Sequence, residues 1–136
     1  MYGNAFDEHG DKIQVPLGFP TTSFSPGEGK IVWSSPQMNF QPKRLYVATD
    51  NANDFAIVDI LVDGVSVMGK HRPLMALHFS VGSGMSFPQL LEKKQEDVPI
   101  APNASRIVLK VLRLSVTGLI GFKDADEIRK LVEKTL

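Results

Sequence analysis

The chain contains no cysteine. That excludes a disulfide framework, a thiolate metal site and a cysteine nucleophile, and it leaves the redox compartment unreadable. Net charge is also missing, because 15 Lys and Arg balance 15 Asp and Glu. A non-specific nucleic-acid binder driven by bulk charge is therefore excluded as a class. Trp33, Tyr2 and Tyr46 are the only Trp and Tyr residues, too few and too scattered to announce a stacking platform for bases or sugars. No apolar run approaches the ~18–20 residues of a membrane-spanning helix. The start carries Asp7, Glu8 and Asp11 and no apolar stretch of signal-peptide length. Met-Tyr-Gly is not a myristoylation start, since Gly must follow Met directly. These absences predict a chain made in soluble form and not inserted in a membrane.

What is present is enough for one packed domain. The 136 residues fall within the usual ~100–200 residues per domain. Leu, Ile, Val and Phe make up about 31% of them, well above the ~20% typical of disordered chains. A domain of this size buries roughly two-thirds of its unfolded surface and needs no covalent staple.

Residues 1–28 form a distinct segment. Gly3, Gly10, Gly18 and Gly27 with Pro16, Pro20 and Pro26 crowd it, so little sustained regular structure is expected there. Yet Phe6, Ile13, Val15, Leu17, Phe19 and Phe24 space apolar anchors along it. The segment reads as an extended arm, either packed on its own domain or crossing to a neighbouring copy.

From Gly29 the apolar pattern has period two, the signature of strands with one buried face. Ile31 and Trp33 alternate with Lys30 and Ser34, and Leu45 and Val47 with Arg44 and Tyr46. Met75, Leu77, Phe79 and Val81 continue the theme, and Trp33 is expected in the core. Phe55 to Val62 is apolar at both parities apart from Asp59, which suits a central strand. Asp63-Gly64 follows, and Asp-Gly between apolar runs predicts a two-residue hairpin whose turn needs positive φ at both positions. Arg106 to Val116 is the next strand, with a phase change near Val111 that predicts a bulge there. Thr117 to Phe122 makes a further short strand, and Leu90 to Asp97 a single helical turn.

The end of the chain predicts a helix. Asp124 and Glu127 have capping-box spacing, and Ile128, Leu131, Val132 and Leu136 share one face. Such a short helix needs a surface to dock on, which makes Ile128 and Leu131 candidate contact residues. The fold class that follows is all-β: an antiparallel β-sandwich, jelly-roll-like in preference to immunoglobulin-like. The divisions are an extended N-terminal arm over 1–28, a β-sandwich over 29–122 and one C-terminal α-helix over 123–136.

No constellation assembles a reaction. His9 among Asp7, Glu8 and Asp11 matches no closed metal site. His71 sits in a basic loop, and His78 falls on the polar parity of its strand. Gly82-Ser83-Gly84 lacks the Gly-x-Ser-x-Gly of a nucleophile elbow. Asp50 to Asp54 fails the count for a calcium loop. Asp59 and Asp63 could pair for acid–base work, but no histidine, arginine or aromatic platform lies near them in sequence. Neither a catalytic residue nor a cofactor or metal is assigned, and the expectation is a non-enzymatic protein.

One stretch is similar to a known family. Phe40-Gln41-Pro42-Lys43-Arg44-Leu45 gives F-x-P-x-R-L, and Phe55 through Ser66 gives F-x-I-x-D-I-x-V-x-G-x-S. This pattern, with Gly118-Leu119-Ile120-Gly121 near the end, resembles small β-sandwich proteins of phage and phage-like virions. The charged C-terminal helix departs from that pattern, which ends at its last strand. The resemblance implies a virion structural role, as capsid, vertex or decoration protein, made in the host cytoplasm and assembled as a homo-oligomer or on other virion proteins. Phe6, Phe19 and Phe24 are then the arm's candidate subunit-interface anchors, since aromatics dominate interface hot spots. Lys12, Lys30, Lys43 and Arg44 are candidates for a weak interior contact with packaged nucleic acid. The competing readings are a carbohydrate- or peptide-binding sandwich and, last, a small cupin-like enzyme.

Overall fold

The computed structural model describes residues 1–6, 10–48, 54–68, 73–80 and 98–114. Strands dominate them, in two antiparallel sheets. In chain order they are β1 (Tyr2–Phe6), β2 (Lys12–Pro16), β3 (Gly29–Ser34), β4 (Asn39–Arg44), β5 (Phe55–Val62), β6 (Val65–Ser66), β7 (Leu74–Met75) and β8 (Ile107–Arg113). A 3-10 helix at Ala76–Phe79 follows β7. The three-stranded sheet runs β2-β1-β4; the larger sheet runs β3-β8-β5-β6, with β7 also on β5. The predicted C-terminal helix and the strand at 117–122 lie outside the described residues.

The start of the chain is more regular than its Gly and Pro content suggested. β1 and β2 form a hairpin from Tyr2↔Pro16 to Phe6↔Lys12, and β1 also pairs with β4. The breakers sit where a hairpin tolerates them. Pro16 ends an edge strand, where its missing donor costs nothing. Gly3 lies where β1 passes directly over Gln41 and Phe40, leaving no room for a side chain.

β5 shows why its sequence is apolar at both parities. Ile57 pairs with Val111 and Asp59 with Lys110, so Val58 is an extra residue in the strand. This bulge restores the phase: Ile57, Ile60 and Val62 all reach the main cluster, while Ala56 and Val58 join a second cluster with Met75, Leu112 and Leu114. Without it Ile57 and Ile60 would face opposite sides. The irregularity predicted for β8 near Val111 therefore belongs to its partner. β8 itself pairs with β3 without interruption, burying Ile107, Leu109 and Val111 on one face and Leu112 on the other.

Asp59 is the one charged residue of β5, and it is buried. Its Oδ1 accepts hydrogen bonds from the Ile60 amide at 2.8 Å and the Ser66 hydroxyl at 2.7 Å. A buried carboxylate is tolerated only when bonded in this way. The hairpin turn that brings Ser66 back is the predicted one, with Asp63 at φ 52° and Gly64 at φ 80°.

Both sheets contribute to one core. Phe40 of β4 shares a cluster with Ile57, Ile60, Ile107, Leu109 and Phe79. A bridge joins Phe40 to Ala101, with mutual backbone hydrogen bonds of 2.9 and 2.7 Å, on the segment that leads into β8. Full burial of side chains such as these stabilises the fold by about 1.5–3 kcal/mol each.

One further period-two reading fails, and another holds in burial but not as a strand, with Leu45 buried and Val47 packed on the main cluster. The run from Leu74 is a two-residue strand followed by the 3-10 helix, because Ala76 and Phe79 are buried three residues apart while Leu77 faces water. Pairing of β4 stops at Arg44, and Leu45 to Ala48 continue beyond it without a ladder.

Candidate interaction surface

The arm lies on its own domain. Beyond the hairpin, the Leu17 amide donates to the Met1 carbonyl at 2.7 Å. Residues 18–24 then run beside β3, held mainly by side chains that donate to arm carbonyls. Ser34 Oγ reaches Gly18 O at 2.7 Å, Lys30 Nζ reaches Ser23 O at 2.5 Å, and Arg113 reaches Phe24 O at 2.6 Å. Lys30 also pairs with Glu28 at 3.2 Å, and that hydrogen bond holds the Glu28 carboxyl below its ordinary pKa. Phe24 meets Phe55 edge to face, with ring centroids 5.4 Å apart.

Of the predicted arm anchors, Phe19 and Phe24 are thus half-buried against the core of the same chain. Phe6 is half-buried at the end of β1. Ile128 and Leu131 lie outside the described residues. Beneath the arm is a cleft of about 380 Å³ walled by Leu17, Phe19, Phe24, Val32, Ile57 and Leu109 among others. The four basic candidates do not share a face. Lys12 and Arg44 belong to the three-stranded sheet, Lys43 is the extra residue of a bulge beside Arg44, and Lys30 is on the larger sheet.

Four of the large apolar side chains left in water lie on edge strands. Ile13 is on β2, Ile31 and Trp33 on β3, and Val65 on β6. Each of these strands ends its sheet. Inner strands β5 and β8 are mostly buried. Trp33, expected in the core, keeps 47% of its surface exposed and Ile31 57%. The period was read correctly and the face was not, because the inward residue of β3 is Val32, which packs on the main cluster. Trp33 pairs with Val108 and Ile31 with Lys110, placing both on the outer face. The Arg106 guanidinium lies 4.1 Å over the Trp33 ring, a cation–π contact worth about 0.5–1 kcal/mol at an exposed site. Among the described residues no strand pairs the outer edge of β3.

The titratable candidates stay apart. Asp59 is bonded to Ser66, whereas the exposed Asp63 accepts from Ser105 Oγ at 3.2 Å. His78 sits in the 3-10 helix, where desolvation lowers its pKa. His9, His71 and Gly82 to Gly84 lie outside the described residues. Among the described residues there is no group of His, Asp and Glu able to hold a metal ion. No helix among them is long and apolar enough to cross a membrane. Comparison with protein-family models, curated proteins and solved structures finds no match to the chain.

Proposed function

We propose that this chain is a non-enzymatic structural protein: a jelly-roll-like β-sandwich that assembles through its sheet edges, with copies of itself or with other proteins of a virion. The observation that carries the proposal is the placement of Ile31 and Trp33, exposed on an edge strand whose outer side is unpaired among the described residues. An edge strand that presents apolar side chains and has no ladder partner on its outer side is a template for another chain. The similarity of Phe40–Leu45 and Phe55–Ser66 to small β-sandwich proteins of phage-like virions supplies the setting.

The test is sedimentation of the native chain and of the double variant Ile31→Thr, Trp33→Gln. Both positions are exposed, so the loss of the Arg106 cation–π contact should lower the thermal transition by only a few degrees. The native chain should sediment as a closed oligomer and the variant as a monomer. A native chain that remains monomeric to millimolar concentration, at low and high salt, overturns self-assembly through this edge.

A further inference from the structure

The three-stranded sheet turns a second kind of surface outward. Gly3 and Ala5 face the core, so Tyr2, Asn4 and Phe6 of β1 face away from it. The register sets Tyr2 between Pro16 and Arg44, and Asn4 between Gln14 and Gln41. Tyr46, just past β4, completes the group. Its ring lies 5.7 Å from that of Tyr2 at 84°, and its hydroxyl accepts from the Arg44 guanidinium at 3.3 Å. Tyr2, Gln14, Arg44 and Tyr46 line an open depression of about 560 Å³. These residues are scattered in sequence, and only the strand register gathers them.

We propose that this depression binds an acidic sugar, a uronic-acid residue of an anionic saccharide. The apolar C–H face of a pyranose stacks on an exposed phenol ring, and Tyr2 leaves 44% of its surface free. Gln14 offers an exposed amide, which both donates to and accepts from hydroxyls. Arg44 is exposed and makes no ion pair among the described residues. Its bond to Tyr46 engages one guanidinium nitrogen and leaves further N–H donors for a bidentate grip on a carboxylate. A nucleic-acid strand fits less well. The two rings are perpendicular, so they cannot stack successive bases in parallel.

The experiment is calorimetric titration of the full chain with a tetrasaccharide of alternating glucuronate and N-acetylglucosamine. Cellotetraose serves as the neutral control and a single-stranded oligoadenylate as the competitor. The native chain should bind the acidic sugar at millimolar concentration or tighter, and Arg44→Gln should weaken it by about tenfold or more. Tyr46→Phe, which frees the guanidinium, should give an intermediate loss. Each variant should keep the native thermal transition, since Arg44 is exposed and Tyr46→Phe keeps the half-buried ring. Absence of binding, equal binding by Arg44→Gln, or tighter binding of the oligoadenylate overturns the proposal. Sedimentation of Arg44→Gln should match the native chain, because Ile31 and Trp33 lie on the other sheet; this keeps the test apart from that of assembly.

Discussion

Gly3 and Ala104 show how much a single backbone position decides. A methyl group on Gly3 would fall inside the van der Waals surfaces of the Gln41 carbonyl and the Phe40 ring, and Phe40 is itself fixed in the core. Neither neighbour can yield without moving β4. Gly3→Ala should therefore cost about 2–3 kcal/mol, at the upper end of the overpacking range. Urea unfolding measures this, and a cost under about 0.5 kcal/mol would mean that β1 does not approach β4 so closely. Ala104 is the opposite case, a non-glycine residue at φ 72° in the turn before β8. The left-handed region costs an L-residue about 1–2 kcal/mol, and glycine returns part of that as unfolded-state entropy, roughly 0.4–1 kcal/mol. Ala104→Gly should then stabilise the protein by about 0.5–1 kcal/mol, an unusual sign for such a change. A lower urea midpoint for this variant would contradict the turn as described.

At the scale of elements, the arm is secured by contacts of two kinds. Side chains of Ser34, Lys30 and Arg113 donate to its carbonyls, and Phe24 packs on Phe55. Phe24→Ala removes the aromatic pair, worth about 0.5–1.5 kcal/mol beyond burial, while leaving the carbonyl contact of Arg113 in place. We expect a loss of about 1–2 kcal/mol and faster proteolysis between residues 18 and 24. Unchanged cleavage would show that the carbonyl contacts alone hold the arm. The arm also shows what was legible in the sequence. Its aromatic anchors announced that it would lie against something, but Gly and Pro content concealed a hairpin, because breakers at strand ends and under close approaches do not break. The Asp63-Gly64 turn was legible because its requirement for positive φ is local. The face of β3 was not: alternation tells which side chains share a side, and only the neighbour strand tells which side is covered. Trp33, the most hydrophobic choice for the core, points outward for that reason. The Tyr2, Arg44 and Tyr46 group was invisible for a related one, since register between distant strands has no signature in either strand alone.

For the whole molecule, the arm's placement changes what removing it means. If residues 1–28 crossed to a neighbour, a chain lacking them would persist as a folded monomer. In this structure they supply two of the three strands in one sheet, and Leu17, Phe19 and Phe24 cover the cleft above Val32, Phe55 and Leu109. Deletion would strip β4 of its partner and open the main cluster to water. The deletion chain should therefore lose its single cooperative thermal transition and bind an apolar dye, as a loosely packed state does. Adding a peptide of residues 1–28 should restore the transition in a concentration-dependent way, because whatever binds only the folded state stabilises it by mass action. A deletion chain that melts cooperatively within a few degrees of the native protein would sink the arrangement in which the arm belongs to its own domain. The same result would shift the candidate assembly contacts from the edge of β3 back to Phe19 and Phe24. The two outcomes assign the arm to different levels of organisation, to the core of one subunit or to the joint between two, and a melting curve separates them.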